Sequence, residues 1–439
     1  MSTGLERIAE KARSDRKLCF TSLAHHITLP LLWDSLNAIA KSSGSGVDGM
    51  DVNTARETFD SWAPDLLEAV HRKGYRPPPV RRVYIPKPGK SQRRPIGVPT
   101  IIDRVLQRAV GKVLEQIYEQ DFCNSSFGGR ANRSAHQALA TLHHAISKKR
   151  VSWVLEADLK SFFSSLNHEW VERFLSQRVA DPRIATLVRR WLKAGVMEEG
   201  VIHGTEVGTP QGGPISVLLS NVYLHYVLDL WVEKVVKPRL VGEVYYVRYL
   251  DDFIVCFEEA LSANRLEAVL AHRLAKFGLL LEPSKTRLVR FGRFAARDAK
   301  RHNEKLETLY FLGMTLYCSQ TRNGKFKVGF MTERDRLRRF VNDMKDKMRQ
   351  WRHLSLHQQS LLINRRLAGH FNYFGIISNY PAMKRVYYLV LLYWRKVLSS
   401  RSQRGRLNWE RYRKVLSAYP LRTPRMVIDL SRLDQLAFL

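Results

Sequence analysis

The sequence predicts an α+β protein, and three observations carry that prediction. Residues 244–257 read Val-Tyr-Tyr-Val-Arg-Tyr-Leu-Asp-Asp-Phe-Ile-Val-Cys-Phe, two β-branched and aromatic runs meeting at Asp251 and Asp252. That is the pattern of a buried hairpin with a polar tip. Other strand-like runs are separated by amphipathic helical patterns, the clearest over 101–120. Past about residue 330 the strand signals stop and helical periods take over at 334–351, 358–374 and 381–398. Strands followed by a helical region give a mixed α+β pattern.

The hairpin tip also carries the first chemical hint. Two adjacent carboxylates add nothing to an apolar hairpin's stability, because they repel and are costly to desolvate unless a cation neutralises them. Hard carboxylate oxygens suit Mg²⁺, which keeps positions open for substrate phosphates. The alternative is an exposed turn, where Asp-Asp is ordinary turn chemistry.

A chain of 439 residues with 45% hydrophobic content has room for two or three folded domains. Its 72 basic and 41 acidic residues leave a net charge of +31 and a pI near 10.2. Such a surplus calls for a polyanionic partner, with nucleic acid first. A membrane surface is the rival, but no uninterrupted apolar run of about eighteen residues is expected, nor a signal-peptide core. Cys19, Cys123, Cys256 and Cys318 are scattered singly, which fits a reducing compartment and gives no zinc pattern. Internal repeats and low-complexity tracts are not evident.

In chain order, a mixed helical start is broken at 42–46 by Ser-Ser-Gly-Ser-Gly. A helix over about 52–73 ends at Gly74 and Pro77-Pro-Pro79. Residues 80–99 read as a basic hairpin around a Pro-Gly turn, carrying Arg81, Arg82, Lys87, Lys90, Arg93 and Arg94. Such a hairpin suits phosphate contact, or is an edge kept soluble by charge. After the 101–120 helix comes a glycine- and serine-rich loop, 124–136, with Arg130 and Arg133; it fits nucleic-acid contact weakly.

Residues 153–163 start as a strand that ends at Asp158, then turn toward a helix containing Phe163. A carboxylate at a strand end is placed for chemistry, though Asp also caps helices well. Residues 208–214, Gly-Thr-Pro-Gln-Gly-Gly-Pro, form an irregular loop with Gln211 and Gly212, opening a helix over about 215–234. The loop either lets backbone approach a ligand or simply starts the helix. A helix over 261–277, a strand–turn–strand over 278–291 with Lys285 in the turn, and a strand over 309–317 follow. Residues 321–416 hold 23 Lys or Arg against 5 Asp or Glu, a local net of +18. Trp351, Phe371, Tyr373, Trp394 and Trp409 are spread through this region, and aromatics at helical spacing are expected in the core rather than stacked on bases.

Asp158 and Asp251 thus end two strands from distant parts of the chain, and adjacent antiparallel strands would bring them together. Paired carboxylates of this kind suit two Mg²⁺ ions serving an in-line phosphoryl transfer. At this point the motifs resemble those of the reverse transcriptase–maturase proteins encoded by group II introns. The likeness runs through Gly46-Val-Asp-Gly49, Arg94-Pro-Ile-Gly97, Ser126-Phe-Gly-Gly-Arg130 and Ala157-Asp-Leu-Lys-Ser-Phe-Phe163. It continues through Thr209-Pro-Gln-Gly-Gly-Pro214, Tyr249-Leu-Asp-Asp252, Pro283-Ser-Lys-Thr286 and Phe311-Leu-Gly313. The tail segment 364–374 looks like that family's maturase region.

The resemblance implies a right-hand polymerase with an antiparallel palm sheet, helical fingers and a basic α-helical thumb/maturase domain. The expected division is an N-terminal extension at 1–80, fingers and palm at 81–320, and thumb/maturase at 321–439. Asp158 and Asp251 are then the metal ligands, with Asp252 as third catalytic acid and Mg²⁺ as cofactor (two ions, Mn²⁺ as substitute). Phe163 matches the family's steric gate against a ribose 2′-OH. Lys87, Arg94, Gln211, Gly212 and Lys285 bind the nucleotide, and Arg130, Arg133, Arg365 and Arg366 bind RNA.

Implied partners are an RNA template and primer, group II intron RNA, dNTPs and the DNA product, with no membrane. The implied location is cytoplasmic, of bacterial or organellar type. Three departures stand out: Leu250 where the family commonly has alanine, no aromatic after the first glycine of the 128–133 loop, and no Cys/His nuclease signature. The last sets the expectation of a type without endonuclease. Two other functions remain open: a domesticated or defence-associated reverse transcriptase without an intron, and a non-catalytic RNA-binding splicing factor.

Overall fold

A computed structural model describes residues 3–86, 93–198, 201–203, 213–304, 306–401 and 407–437, with Arg94 and 201–203 given by backbone alone. The strands are β1 (Val80–Pro86), β2 (Arg93–Val98), β3 (Trp153–Asp158), β4 (Val196–Glu198), β5 (Val201–His203) and β6 (Val244–Tyr249). They continue as β7 (Asp252–Phe257), β8 (Arg287–Arg290), β9 (Leu309–Phe311), β10 (Met314–Gln320) and β11 (Phe326–Thr332). Three sheets result, ordered β6-β7-β3-β8, β2-β1-β4-β5 and β11-β10-β9.

The β6-β7-β3-β8 sheet is antiparallel and buried on both faces, which explains why its strands read as near-continuous apolar runs. Side chains alternate between the faces. Leu155, Ala157, Phe253, Val255 and Phe257 enter one core with helices Ile101–Asp121 and Pro214–Leu224. Val154, Val247, Ile254, Cys256 and Val289 enter a second, shared with helix Ala135–Lys148 and the β9–β11 sheet. Each such side chain contributes about 1.5–3 kcal/mol on full burial. The 101–121 helix matches its sequence pattern: Val105, Leu106, Ala109, Val110, Val113, Leu114 and Ile117 are all fully buried.

Helices Arg334–Gln350, Leu356–Phe374, Tyr380–Ser399 and Trp409–Ala418 share a third core that includes Met344, Leu367, Phe371, Val390 and Trp394. Phe371 and Trp394 are buried as expected, whereas Trp409 is exposed beneath the Arg395 guanidinium, 4.1 Å from its ring centre.

The structure differs from the sequence pattern at two elements and adds two features to it. The single helix over 52–73 is two, Val52–Glu57 and Phe59–His71. Thr58 breaks them: its hydroxyl donates to the Thr54 carbonyl while its backbone leaves helical geometry. The strand over 309–317 is a hairpin, because Leu312 and Gly313 both take positive φ (51° and 77°), as a tight two-residue turn requires. The β4–β5 hairpin was not foreseen; each strand has three residues, too few to show a period. Finally, Pro214–Arg239 is one helix long and apolar enough to cross a membrane by length and composition. Most of that apolar window, 78%, is buried inside the protein, as in a core helix. Two of its turns, His225–Asp229 and Val232–Val236, are π-helical.

Candidate active site

The strand ends of the β6-β7-β3-β8 sheet gather three acids. Asp158 closes β3 and pairs in register with Asp252, the first residue of β7. Asp252 also faces Tyr249 across the β6–β7 hairpin, so Asp251 lies at the tip. The Leu159 amide donates to the Asp251 carbonyl at 3.3 Å, which extends the β3–β7 ladder past the last pair. Leu250, at φ 57°, makes the tight turn possible. The sequence expectation paired Asp158 with Asp251; the register puts Asp252 opposite Asp158 and Asp251 one residue further on.

Electrostatics single out this corner. Burial pushes the Asp252 carboxyl well above the usual range, and the charges of Asp158 and Asp251 push the same way. Lys285 pulls it back only in part. Lys285 stands on the turn Pro283–Lys285 and forms an ion pair with Asp158. Its ammonium loses hydration there, yet the bond to Asp158 and the neighbouring acids hold its pKa above the ordinary lysine value. Two backbone bonds pin this segment to the strand end: Lys160 N to Leu280 O and Glu282 N to Asp158 O, both 2.8 Å. Positive charge is therefore in demand at the carboxylates, and one ammonium does not meet it.

Among the described residues no three His, Cys, Asp or Glu side chains form a ready-made metal cage. Mg²⁺ needs none: it binds through one or two carboxylates and completes its shell with water and substrate phosphates. The donor set here, hard oxygens with like-charge strain, fits such an ion.

Phe163 lies on the short helix Phe162–Ser165, reached from Asp158 through Ser161 at φ 50°. Phe162 is buried, and Phe163 is half-buried with its ring at 61° to that of Phe162. Arg94 falls on β2 opposite Ile85, while Lys87, Gln211 and Gly212 lie outside the described residues. Arg365 is exposed on helix Leu356–Phe374, and Arg366, half-buried beside it, is ion-paired with Asp343.

Arg130 does not face outward as the loop's composition suggested. Its side chain is 4% exposed, with the guanidinium bonded to Glu119 and to the carbonyls of Cys123 and Ser126. A fork so fully used has nothing to offer a phosphate, so Arg130 is corrected to a loop brace. Arg133 lies partly exposed over the Phe127 ring and donates to Asn124.

The sequence reading missed the group behind the hairpin. Arg248, Asp229, Asn221 and Ser126 are each 0% exposed, and the last three all accept hydrogen bonds from the Arg248 guanidinium. The available signal was Arg248 itself, a lone charge inside an apolar strand.

Comparison with known proteins matches this arrangement. Residues 85–316, more than half of the chain, match the model of the reverse transcriptase (RNA-dependent DNA polymerase) family. The chain is 30% identical over 367 residues to protein YkfC of Escherichia coli, covering 76% of this chain and 93% of that protein. It is 33% identical over 222 residues to the group II intron-encoded protein LtrA of Lactococcus lactis, covering 50% of this chain. The chain spans only 37% of the length of that intron-encoded protein. A nuclear intron maturase of Arabidopsis thaliana is 25% identical over 179 residues, or 36% of this chain and 24% of the maturase. The likeness to intron-encoded proteins read from the motifs is borne out, and the chain belongs to the reverse transcriptase (RNA-dependent DNA polymerase) family.

Proposed function

We propose that this protein is an RNA-directed DNA polymerase that also assists the splicing and mobility of a group II intron RNA. The observation that carries the reading is the register of Asp158 against Asp252, with Asp251 on the adjoining turn. In this reading the central sheet is the palm, the preceding helices and the basic β1–β2 hairpin are the fingers, and the helices after residue 334 are the thumb. Asp158 and Asp251 would hold two Mg²⁺ ions, which supply charge stabilisation to the attacking and leaving oxygens of nucleotidyl transfer.

The chain's own groups do the positioning. Asp252 stands opposite Asp158 as the third acid of the strand ends. Lys285, 64% exposed while bonded to Asp158, is free to swing toward an incoming triphosphate. Phe163, beside the same strand end, would meet a ribose 2′-OH and so favour dNTPs. Arg94 with Lys87 on the hairpin, and Gln211 with Gly212 before the 214–224 helix, complete the nucleotide site. Arg133, Arg365 and Arg366 contact RNA. A cavity of about 660 Å³ between β11 and the 334–350 and 380–399 helices is rimmed by Arg334, Arg338, Lys345 and Arg385, which adds basic surface on that side.

The test uses the full chain with a primed heteropolymeric RNA, dNTPs and Mg²⁺. Primer extension that stops on chelation and returns on adding Mg²⁺ supports the polymerase. Binding that prefers folded group II intron RNA to random RNA of equal length supports the splicing role. Absence of extension removes the first; equal affinities remove the second.

A further inference from the structure

The hairpin that presents Asp251 and Asp252 is held from behind by a single buried side chain. Arg248 sits in β6 two residues before the turn, 0% exposed in an otherwise apolar strand. A buried guanidinium is costly unless every donor is met. Here all five are. Nε donates to Asp229 Oδ1 at 2.7 Å, and Nη2 donates to Asp229 Oδ2 at 2.6 Å and to Ser126 Oγ at 2.7 Å. Nη1 donates to Asn221 Oδ1 and to the Leu250 carbonyl, each at 3.1 Å.

The last bond reaches the turn itself. Leu250 is a non-glycine residue at φ 57°, a left-handed conformation that strains an L-residue. It persists only where its surroundings impose it. Two things impose it here, and both belong to the same network. Arg248 takes the Leu250 carbonyl from one side. From the other, the 126–130 loop lies flat against the turn: a Cβ at Gly128 would fall 2.6 Å from the Leu250 nitrogen and 2.9 Å from the Tyr249 carbonyl carbon. Only glycine allows that approach. The loop is held there by Asn221, whose Nδ2 donates to the Gly128 carbonyl at 2.8 Å while its Oδ1 accepts from Arg248. Backbone bonds complete the seam, from Arg248 N to Ser125 O and from Phe127 N to Arg248 O.

We propose that Arg248 is the positioning residue of the active-site turn, locking Leu250 in its left-handed conformation and coupling Asp251 and Asp252 to the 126–130 loop. Asp229 neutralises the guanidinium and Asn221 joins it to the loop. Lysine cannot replace it, because one ammonium cannot span a carboxylate, an amide, a hydroxyl and a carbonyl in one plane. The loop that composition marks as basic and glycine-rich thereby serves as the turn's backing.

This inference rests on the polymerase reading for its kinetic arm but not for its structural arm. Asn221→Ala leaves the Arg248–Asp229 pair intact and removes both the Arg248 and the Gly128 bonds. Arg248→Met with Asp229→Leu replaces the buried ion pair by apolar volume, a change that is often neutral for stability, and Tyr246→Phe removes the hydroxyl that donates to Asp229 Oδ1 at 2.8 Å; Asn221 and Ser126 stay. Three quantities are measured on each: thermal unfolding, primer–template affinity, and single-turnover extension, with amide hydrogen exchange over 249–253 alongside.

Positioning predicts faster exchange at the turn in both variants, affinity within about twofold of the parent, and extension slowed about a hundredfold, the effect of misplacing a reacting group by about 1 Å. Parental exchange at the turn in a folded variant overturns the inference, whatever the enzyme does. Parental extension rates in either variant overturn it too. If the parent itself fails to extend, the polymerase reading falls, and hydrogen exchange alone decides the role of Arg248.

Discussion

Charge is used in opposite ways in the two halves of this molecule. Around the central sheet the Arg248–Asp229 pair is 0% exposed on both sides, and the Arg130–Glu119 pair, between the 126–130 loop and the 101–121 helix, 4% and 21%. In the C-terminal helices most pairs are local and open: Arg338–Asp335 is 72% and 74% exposed and Lys414–Glu410 is 79% and 78%, while Arg366–Asp343, which joins two helices, is 33% and 48% exposed. Exposed pairs contribute at most about 1 kcal/mol and are screened by salt, so they fix nothing. A buried, fully bonded pair adds little net stability, but breaking it is costly, which makes it a device for holding geometry. Buried, saturated cations build the site, and exposed ones remain available to a polyanion. The first are few and saturated, and the second carry the surplus.

The comparison can be broken at Lys285, which sits between the two classes. It is an exposed residue bonded to a strand-end acid. If it serves the site, Lys285→Ala slows extension about a hundredfold, the typical cost of losing a charge-stabilising donor. RNA affinity stays the same. A loss of RNA affinity with normal extension would move Lys285 to the gripping class.

A smaller effect sharpens the site half. Phe163→Ala removes a half-buried ring next to the strand end and leaves Phe162 to keep the core. The ratio of rNTP to dNTP incorporation should rise roughly tenfold, in the range of steric discrimination by a pocket wall. An unchanged ratio makes Phe163 a packing residue.

The smallest effect tests the gripping half. Arg365 is exposed, while Arg366 is partly neutralised by Asp343. Arg365→Ala should make the slope of log affinity against log salt shallower by about 0.7–0.9, one phosphate contact. Arg366→Ala should change it less. Equal changes would show that Asp343 releases Arg366 on binding.

Much of this was legible in sequence, for identifiable reasons. The acids were, because Asp158 and Asp251 each end an apolar run and a strand's end is visible in its pattern. The helical C-terminal region was, through its long periods. The Leu312–Gly313 turn was not, since Phe311-Leu-Gly-Met reads as continuous strand until the positive φ values are known. The break at Thr58 was not, because it depends on one hydroxyl's choice of acceptor. Arg130 misled because composition counts an arginine without showing which way it points. Arg248 was visible as an anomaly, but its partners come from 126, 221, 229 and 250, and only folding brings them together. Tertiary polar networks have no sequence period, and that is why they escape.

In the proposed function the strand-end acids perform the chemistry while binding resides elsewhere. The most direct measurement is single-turnover primer extension on RNA by Asp251→Asn, with RNA affinity determined on the same preparation. Losing a metal-binding carboxylate removes several kcal/mol of transition-state stabilisation, at about 1.4 kcal/mol per tenfold in rate. The account predicts extension slowed by at least about a hundredfold with RNA affinity unchanged. Extension within about tenfold of the parent, or a parallel loss of RNA binding, would contradict it.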